Sequence, residues 1–331
     1  MADLKTKYMG LELRSPIIAG SCGLTSDVEK MVEMEKAGVG AVVLKSIFEE
    51  QINEETSGVF KAGYGMGDAY PEAEDYIKAY IRSNTIQKYV ELVRNAKSRL
   101  TIPVIASVNC FSGGEWVSFA RQLEEAGADA LELNVFILPV NEFKESAEVE
   151  NVYFEIVKSI KSQIKIPVSV KISHYFTNLS AFVDKIKAYG ANATTLFNRF
   201  YEPDIHINTL EMGAASVFST AAELRTTLRW TGILAGKDKK LEISASTGVH
   251  GGEAAVKLLL AGATTVQVCS VLYEKGIHVI EDINNFIGKW MDSKAFKTIG
   301  DYRGMLSYSS IENPDLYERA QFMKYFSNKQ Y

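Results

Sequence analysis

Glu125-Ala126-Gly127-Ala128-Asp129-Ala130 ends one amphipathic stretch and opens an apolar run, and the chain repeats this join three more times. In every copy a glycine stands just past a helical pattern, where a left-handed residue is needed. A short segment rich in Val, Leu, Ala and Thr then follows. Helix-to-strand joins that recur along one chain indicate stacked βα units and therefore a parallel sheet. The other copies are Lys36–Ala41, Tyr189–Ala193 and Leu260–Thr265.

Eight short apolar runs are candidate strands, and helical patterns lie between them. Continuous apolar runs are typical of buried parallel strands. Eight such strands predict an α/β fold of the (β/α)8 TIM-barrel type, and 331 residues suit one barrel. The rival, an open doubly wound sheet, is disfavoured because no Gly-x-Gly-x-x-Gly follows the first strand. The expected strands are Pro16–Ala19, Ala41–Leu44, Pro103–Val108, Ala130–Leu133, Val168–Ile172, Ala193–Phe197, Leu241–Ala245 and Thr265–Val268.

Three connections are too long to be simple helices. They are Ile47–Ser83 after strand two, Val135–Glu150 after strand four and Arg199–Ala222 after strand six. All three leave the C-terminal ends of strands, the face where barrel active sites lie, so functional loops are expected there. We expect residues 1–306 to form the barrel. Residues 307–331 are rich in aromatic side chains, and we expect a helical tail that packs on the barrel or on a second subunit.

Composition and charge argue against nucleic-acid binding, membrane contact and metal binding. The chain has 36 basic and 41 acidic residues, a net charge of −5, with no block of like charge, which argues against nucleic-acid binding. No apolar run approaches the length of a membrane span, so we expect a cytoplasmic protein without membrane contact. The three cysteines show no Cys-x-x-Cys spacing and the four histidines no His-Glu-x-x-His, so no metal site is expected.

Polar side chains stand at the C-terminal end of each expected strand. A buried Lys or Asn must find partners there, since leaving one unpaired costs about 1–3 kcal/mol. One buried polar residue can be accounted for by an internal hydrogen-bond network. Several such residues at equivalent strand ends instead favour a ligand site. Each of the last two strands is followed by a turn of small residues that leads into a helix. Such turns predict a phosphate site, and the alternative is that they are tight turns without a ligand. The set is Ser21, Lys45, Ser46, Asn109, Asn134, Lys171, Asn198, Ser246, Thr247, Gly248, Cys269 and Ser270.

The sequence around these residues resembles the dihydroorotate dehydrogenases, flavin mononucleotide (FMN) enzymes built on a (β/α)8 barrel. Leu131-Glu132-Leu133-Asn134 is similar to the Glu-Leu-Asn strand of the family, and Val170-Lys171-Ile172 to its Val-Lys-Leu. The resemblance implies an FMN-dependent oxidoreductase that oxidises dihydroorotate to orotate, in pyrimidine biosynthesis, by hydride transfer to the flavin. Further similar segments are Leu11–Ser21, Val43–Ser46, Thr247–Val249, Val266–Ser270 and Asp301–Gly304.

The resemblance also implies roles. Lys45 would be a catalytic residue near flavin and substrate, and Lys171 would hydrogen-bond the flavin ring where negative charge develops on reduction. Asn134 and Asn198 would hold the flavin or the substrate, and Asn141 would replace a second family asparagine. A small-molecule substrate, a separate electron acceptor and a homodimer are implied as well. The phosphate would be held by Ser246, Thr247, Gly248, Cys269 and Ser270.

One turn departs from the family pattern. In the family, the strand-four asparagine begins Asn-x-Ser-Cys-Pro-Asn, or the same with Ser for Cys, and that Cys or Ser removes a substrate proton. Here Phe136 and Ile137 stand at the Ser and Cys positions, and neither side chain accepts a proton. A different small cyclic substrate, a non-catalytic flavin-binding homologue and a phosphate-sugar barrel enzyme without flavin therefore stay open. Other residues that offer a base are Cys22, Cys110, Ser173 and His174.

Overall fold

The structure, a computed structural model, describes residues 2–48, 71–109, 113–199 and 202–318, with the backbone alone at 48, 71–83 and 113–116. Strands and helices alternate along most of this length. The strands are β1 (Thr6–Tyr8), β2 (Leu11–Leu13), β3 (Ile17–Ala19), β4 (Ala41–Val43), β5 (Ile47–Phe48), β6 (Val104–Asn109), β7 (Ala130–Asn134), β8 (Val168–Ile172), β9 (Ala193–Leu196), β10 (Pro203–His206), β11 (Glu211–Ala214), β12 (Glu242–Ala245) and β13 (Thr265–Val268).

The α-helices flank the strands in sequence. Helices α1, α4 and α5 bury apolar side chains along one side only, as expected for helices that cover a sheet. The helices are α1 (Val28–Lys36), α2 (Pro71–Arg99), α3 (Gly113–Glu125), α4 (Ser146–Lys161), α5 (Leu179–Ala188), α6 (Leu224–Lys237), α7 (Gly252–Ala261), α8 (Ser270–Lys275), α9 (Val279–Ser293) and α10 (Asp315–Glu318).

Eight parallel strands close into a barrel, which confirms the expected (β/α)8 fold. The ring runs β3, β4, β6, β7, β8, β9, β12, β13 and returns to β3. Pairing of Val42 with Val104 and of Val43 with Ile105 joins β4 directly to β6. Strand β5 only extends the ladder of β6. All eight expected strands are present with small shifts at their ends, because each carries enough outward-facing Val, Ile, Leu or Ala to bind the helical layer.

The inside of the barrel is more polar than the apolar runs predicted. Successive strand residues point to opposite faces, so every second residue of a run faces inward. Glu132, Ser169, Thr195 and Gln267 occupy such positions and are all at least 98% buried. Reading the runs as uniformly apolar was therefore wrong for the inner face, where hydrogen bonds between these side chains take the place of apolar packing.

An N-terminal hairpin closes the bottom of the barrel. Strands β1 and β2 pair antiparallel across a Met9-Gly10 turn in which both residues have positive φ, the geometry of a tight two-residue hairpin. Tyr8 is 1% exposed and its hydroxyl donates to Ser169 Oγ at 3.1 Å inside the barrel. Apolar side chains of the hairpin and of the lower barrel form one cluster, which includes Leu13 and Ile105. The opposite end of the barrel therefore carries the site.

The long connections hold more regular structure than expected. Residues 71–83 of the first one belong to helix α2, and the third contains the hairpin β10–β11. In the C-terminal segment, the Tyr308 N–H donates to the carbonyl of Gly232 on α6 at 2.9 Å, and α10 is helical. Residues 319–331 of the expected tail lie outside the described residues, so the division at residue 306 stays a prediction.

Candidate functional site

A cavity of about 450 Å³ opens among the C-terminal ends of the barrel strands. That volume lies in the range of small-molecule and cofactor sites, about 300–1,000 Å³. The structure brings eight of the twelve expected polar residues to this one cavity. They are Ser21, Lys171, Asn198, Ser246, Thr247, Gly248, Cys269 and Ser270.

Lys171 carries the one buried ammonium group among the residues that line this cavity in the described chain. Its side chain is 7% exposed, and Nζ lies 3.7 Å from Oε1 of Glu132, which is 1% exposed. The other carboxylate oxygen of Glu132 accepts from Thr195 Oγ1 at 3.0 Å and from Gln267 Nε2 at 2.7 Å. Sequence reasoning missed Glu132 and Gln267 because they lie in the middle of strands, not at their ends.

Two asparagines continue the polar wall beside Lys171. Asn198 Nδ2 donates to Asn134 Oδ1 at 2.9 Å, which joins the ends of β7 and β9. The Asn198 backbone N–H donates to the carbonyl of Ile172 at 2.8 Å and fixes the turn. Asn134 does not itself line the main cavity, but it orients the Asn198 amide that does.

The opposite side of the cavity is built from tight turns. Gly248 has a φ of +78°, and a Cβ built there would lie 2.2 Å from the backbone nitrogen of Leu224. Only glycine fits this close approach of two backbones. Thr247 also has a positive φ of 80°, and its hydroxyl donates to the carbonyl of Phe197 at 3.1 Å. The turn and Ser270, the first residue of α8, line the same cavity. Backbone N–H groups at such turns and helix starts are the donors that an anion site uses.

A chain of hydrogen bonds braces this side of the cavity. Glu274 Oε2 lies 3.1 Å from His250 Nδ1, and His250 Nε2 lies 3.2 Å from Ser219 Oγ. Ser219 also donates its hydroxyl to Ser270 Oγ at 3.1 Å and its backbone N–H to the same atom at 2.9 Å. Sequence reasoning missed Ser219, because nothing in the segment Val217-Phe218-Ser219 marks it as part of a site.

Two cysteines lie side by side at the ends of β3 and β13. Both residues line the cavity, and Cys269 Sγ lies 3.8 Å from the carbonyl oxygen of Ser21, the residue before Cys22. The neighbouring Cys269 thiol, with polar groups of Leu24, Thr25 and Tyr273, lowers the pKa of Cys22 to about 6. Cys22 is thus poised to be a thiolate at neutral pH.

Besides Asn134, three of the twelve expected residues lie outside the main cavity, and so does Asn141. Lys45 is exposed and lines a second cavity of about 660 Å³ together with Ser46. The Ser46 hydroxyl still connects inward, at 3.0 Å from Ser21 Oγ. Asn109 is 3% exposed, and its Oδ1 has no hydrogen-bond partner among the described residues. Asn141 is exposed and lines a third cavity of about 300 Å³.

The turn after β7 is apolar where the family has its base. Phe136 and Ile137 are half-buried, and the Ile137 N–H donates to Tyr153 Oη at 3.3 Å. His174, a possible base, packs against Tyr175 and Phe197, and burial lowers its pKa. Cys110 lies outside the described residues. Among the possible bases that the structure describes, Cys22 lines the main cavity.

The donor set of the main cavity fits a flavin phosphate ester. The turn at Gly248 and the hydroxyls of Ser219 and Ser270 would suit a phosphate, and Lys171 brings a buried ammonium group to the same cavity. Gln267, 2% exposed, lines the cavity, and its Oε1 has no partner among the described residues, so a ligand N–H has an acceptor waiting.

Two kinds of feature are absent from the described part of the chain. No three His, Cys, Asp or Glu side chains there come together in a group that could hold a metal ion. Within the same residues, no helix combines the length and apolarity needed to cross a membrane.

Comparison with known proteins supports the resemblance seen in the sequence. The family model "Dihydroorotate dehydrogenase" matches residues 3–291. A relative from Thermoplasma acidophilum, "Dihydroorotate dehydrogenase B (NAD(+)), catalytic subunit", is 30% identical over 92% of this chain and 99% of its own length. Proteins of the same description from Thermoplasma volcanium and Pyrococcus furiosus are 27% and 26% identical, each over 92% of this chain and over 99% and 98% of their own lengths.

Proposed function

Since the chain belongs to the dihydroorotate dehydrogenase family and is an oxidoreductase acting on CH–CH groups, we propose that it binds FMN and oxidises dihydroorotate to orotate. The family depends on a flavin, and the relatives are named for this substrate. The observation that carries the proposal is the buried Lys171 ammonium, which shares one cavity with the tight turn at Gly248.

FMN, when bound, would supply the acceptor for the substrate hydride. The residues of the chain hold and polarise the reactants. Lys171, buried beside Glu132, would stabilise the negative charge that develops on the flavin when it is reduced. Asn198, held by Asn134, offers its amide to ring carbonyls. Ser219 and Ser270, which hydrogen-bond each other, would hold the phosphate of the cofactor.

The proposal is tested by anaerobic titration of the purified protein with L-dihydroorotate, with flavin absorbance followed in the visible. We expect yellow protein that bleaches in proportion to added substrate. Lys171→Gln should retain bound FMN but lose most of the bleaching rate, while Lys88→Gln, in the second cavity, should behave as wild type. Colourless protein that takes up no FMN would contradict the cofactor, and yellow protein that never bleaches would contradict the substrate.

A second candidate function keeps the flavin and changes the substrate. Ile137 stands where the family has the residue that removes the substrate proton, and with Phe136 beside it the turn presents a half-buried apolar surface that accepts no proton. Such a surface suits a more apolar cyclic compound. Yellow protein that resists dihydroorotate but bleaches with another cyclic CH–CH donor would favour this function. Protein that binds FMN and bleaches with no donor would be the non-catalytic homologue.

The relatives suggest how electrons leave the site. Several are described as the catalytic subunit of an NAD(+)-linked enzyme. We therefore propose a separate electron acceptor, either a small molecule or a partner subunit, for this chain as well. Reoxidation of the bleached protein by candidate acceptors, measured by stopped flow, tests this step independently of the substrate.

A further inference from the structure

Glu132 is a buried carboxylate to which the proposed function gives no role of its own. It is the third residue of β7, and it is 1% exposed. Glu132 does not line the main cavity, but two residues that contact it, Lys171 and Gln267, do line it. Glu132 therefore acts on a ligand in the cavity through these neighbours and through the field of its charge.

The contact between Glu132 and Lys171 is electrostatic. Lys171 Nζ lies 3.7 Å from Glu132 Oε1, which is longer than a hydrogen bond of about 2.7–3.2 Å. Within the part of the chain that the structure describes, Oε1 accepts no hydrogen bond. The carboxylate therefore attracts the ammonium without taking up one of its N–H groups, and these groups stay available to a ligand in the cavity.

A chain of hydrogen bonds fixes the other carboxylate oxygen of Glu132. Oε2 accepts from Gln267 Nε2 at 2.7 Å and from Thr195 Oγ1 at 3.0 Å. Thr195 Oγ1 also lies 3.0 Å from Ser169 Oγ, which accepts from the Tyr8 hydroxyl at 3.1 Å. The carboxylate is thus held in one place between the cavity and the β1–β2 hairpin. A charge fixed in this way acts on a ligand without the cost of reorganising its surroundings.

We propose that Glu132 is a positioning residue that sets the reduction potential of the bound flavin, because it holds the Lys171 ammonium in the cavity and offsets part of its positive charge. The inference rests on the proposed function, since it needs a bound flavin. The ammonium favours the reduced, negatively charged ring, and the fixed carboxylate beside it opposes this effect. Removal of the carboxylate charge therefore makes the flavin easier to reduce. A residue with a structural role alone would change stability and favour neither redox state.

The test measures the reduction potential of the flavin in the full-length holoprotein against a reference dye, with dithionite as reductant and no dihydroorotate. Glu132→Gln keeps an oxygen for Thr195 and Gln267 but removes the charge. Its equilibrium constant for flavin reduction should rise at least about tenfold, a positive shift of about 30 mV for a two-electron couple. Lys171→Gln should shift the potential in the negative direction. A potential of Glu132→Gln equal to that of the parent, or more negative, would overturn the proposal.

Glu242→Gln is the matched control. Glu242 is also a strand glutamate of the barrel, but its carboxylate accepts the backbone N–H of Met9 in the hairpin that closes the bottom. Its removal should leave the flavin potential unchanged. A shift as large as that of Glu132→Gln would mean that any carboxylate of the barrel has this effect, and it would overturn the specific role of Glu132.

A second variant covers the case in which Glu132→Gln does not fold, since that change leaves a buried ammonium without its partner. Glu132→Gln combined with Lys171→Gln removes both charges of the pair. This double variant should have a more positive potential than Lys171→Gln alone, and equal potentials would overturn the proposal. Protein that binds flavin but does not react with dihydroorotate still gives a potential, so failure of the proposed substrate is distinguishable from failure of this inference. Protein that takes up no FMN would contradict both.

Discussion

Lys171 and Glu132 form a buried ion pair inside the barrel. Replacing Lys171 by Ala leaves the Glu132 carboxylate buried without its cation, which we expect to lower the free energy of unfolding by about 3–5 kcal/mol. Urea denaturation of the two purified proteins measures this. Lys187→Ala, which removes a partly exposed ion pair with Asp238, should cost no more than about 1 kcal/mol. Equal losses in both variants would contradict the buried pair.

Gly248 is a second residue whose role is set by geometry alone. Gly248→Ala should force the turn away from Leu224 and lower the flavin content of the purified protein several-fold, because the anion site is built from that turn. Gly251→Ala is the matched control, since a Cβ there meets nothing within 4 Å. The measurement is the ratio of flavin to protein absorbance. Full flavin content in Gly248→Ala would contradict the phosphate assignment.

Among the elements, the hairpin β1–β2 is fixed by its contacts inside the barrel. Tyr8→Phe removes one buried hydrogen bond, but Ser169 keeps its contact with Thr195, so we expect a loss of about 0.5–1.5 kcal/mol in unfolding free energy. Tyr8→Ala should cost about 3–5 kcal/mol through the cavity it leaves. Lys7→Ala, on the exposed side of the hairpin, should change stability by less than about 0.5 kcal/mol. Similar values for all three would show that the hairpin does not cap the barrel.

The barrel strands were predictable because their outward positions are apolar and glycine marks the end of several helices. The hairpin β10–β11 was not, because its residues are exposed on both faces and carry no burial pattern. Likewise, helix α2 begins within a connection expected to be loop. Short elements that bury few side chains show no clear apolar periodicity in the sequence.

The site was predictable in part, and for one reason: parallel strands end at the same edge, so polar residues at those ends meet. Lys45 does not follow this rule. Strand β4 ends at Val43 and the chain continues toward β5, so the Lys45 side chain is exposed. Ser219 and His250 come together from separate loops, and no spacing in one sequence could have paired them.

At the scale of the whole molecule, exposed apolar side chains suggest how copies associate. Ile207, Leu210 and Met212 of the β10–β11 hairpin are 69–85% exposed, and Phe143 is 86% exposed. Light scattering should give the mass of a dimer, as the resemblance implies, and Leu210→Asp with Met212→Asp should shift it to a monomer without loss of stability. Lys239→Asp is the control. A monomeric parent protein would contradict the dimer.

The cap formed by β1–β2 also sets an order in time. Tyr8 bonds a residue 161 positions later, and Met9 bonds Glu242, 233 positions later. At the usual speed of protein synthesis the first of these gaps takes roughly 10–30 s. During synthesis, the apolar side chains of the hairpin therefore have no packing partners until most of the barrel has left the ribosome. Docking of the β1–β2 hairpin on the bottom of the barrel is therefore among the last steps of folding. In a stalled or shortened chain, the hairpin would stay exposed and available to chaperones.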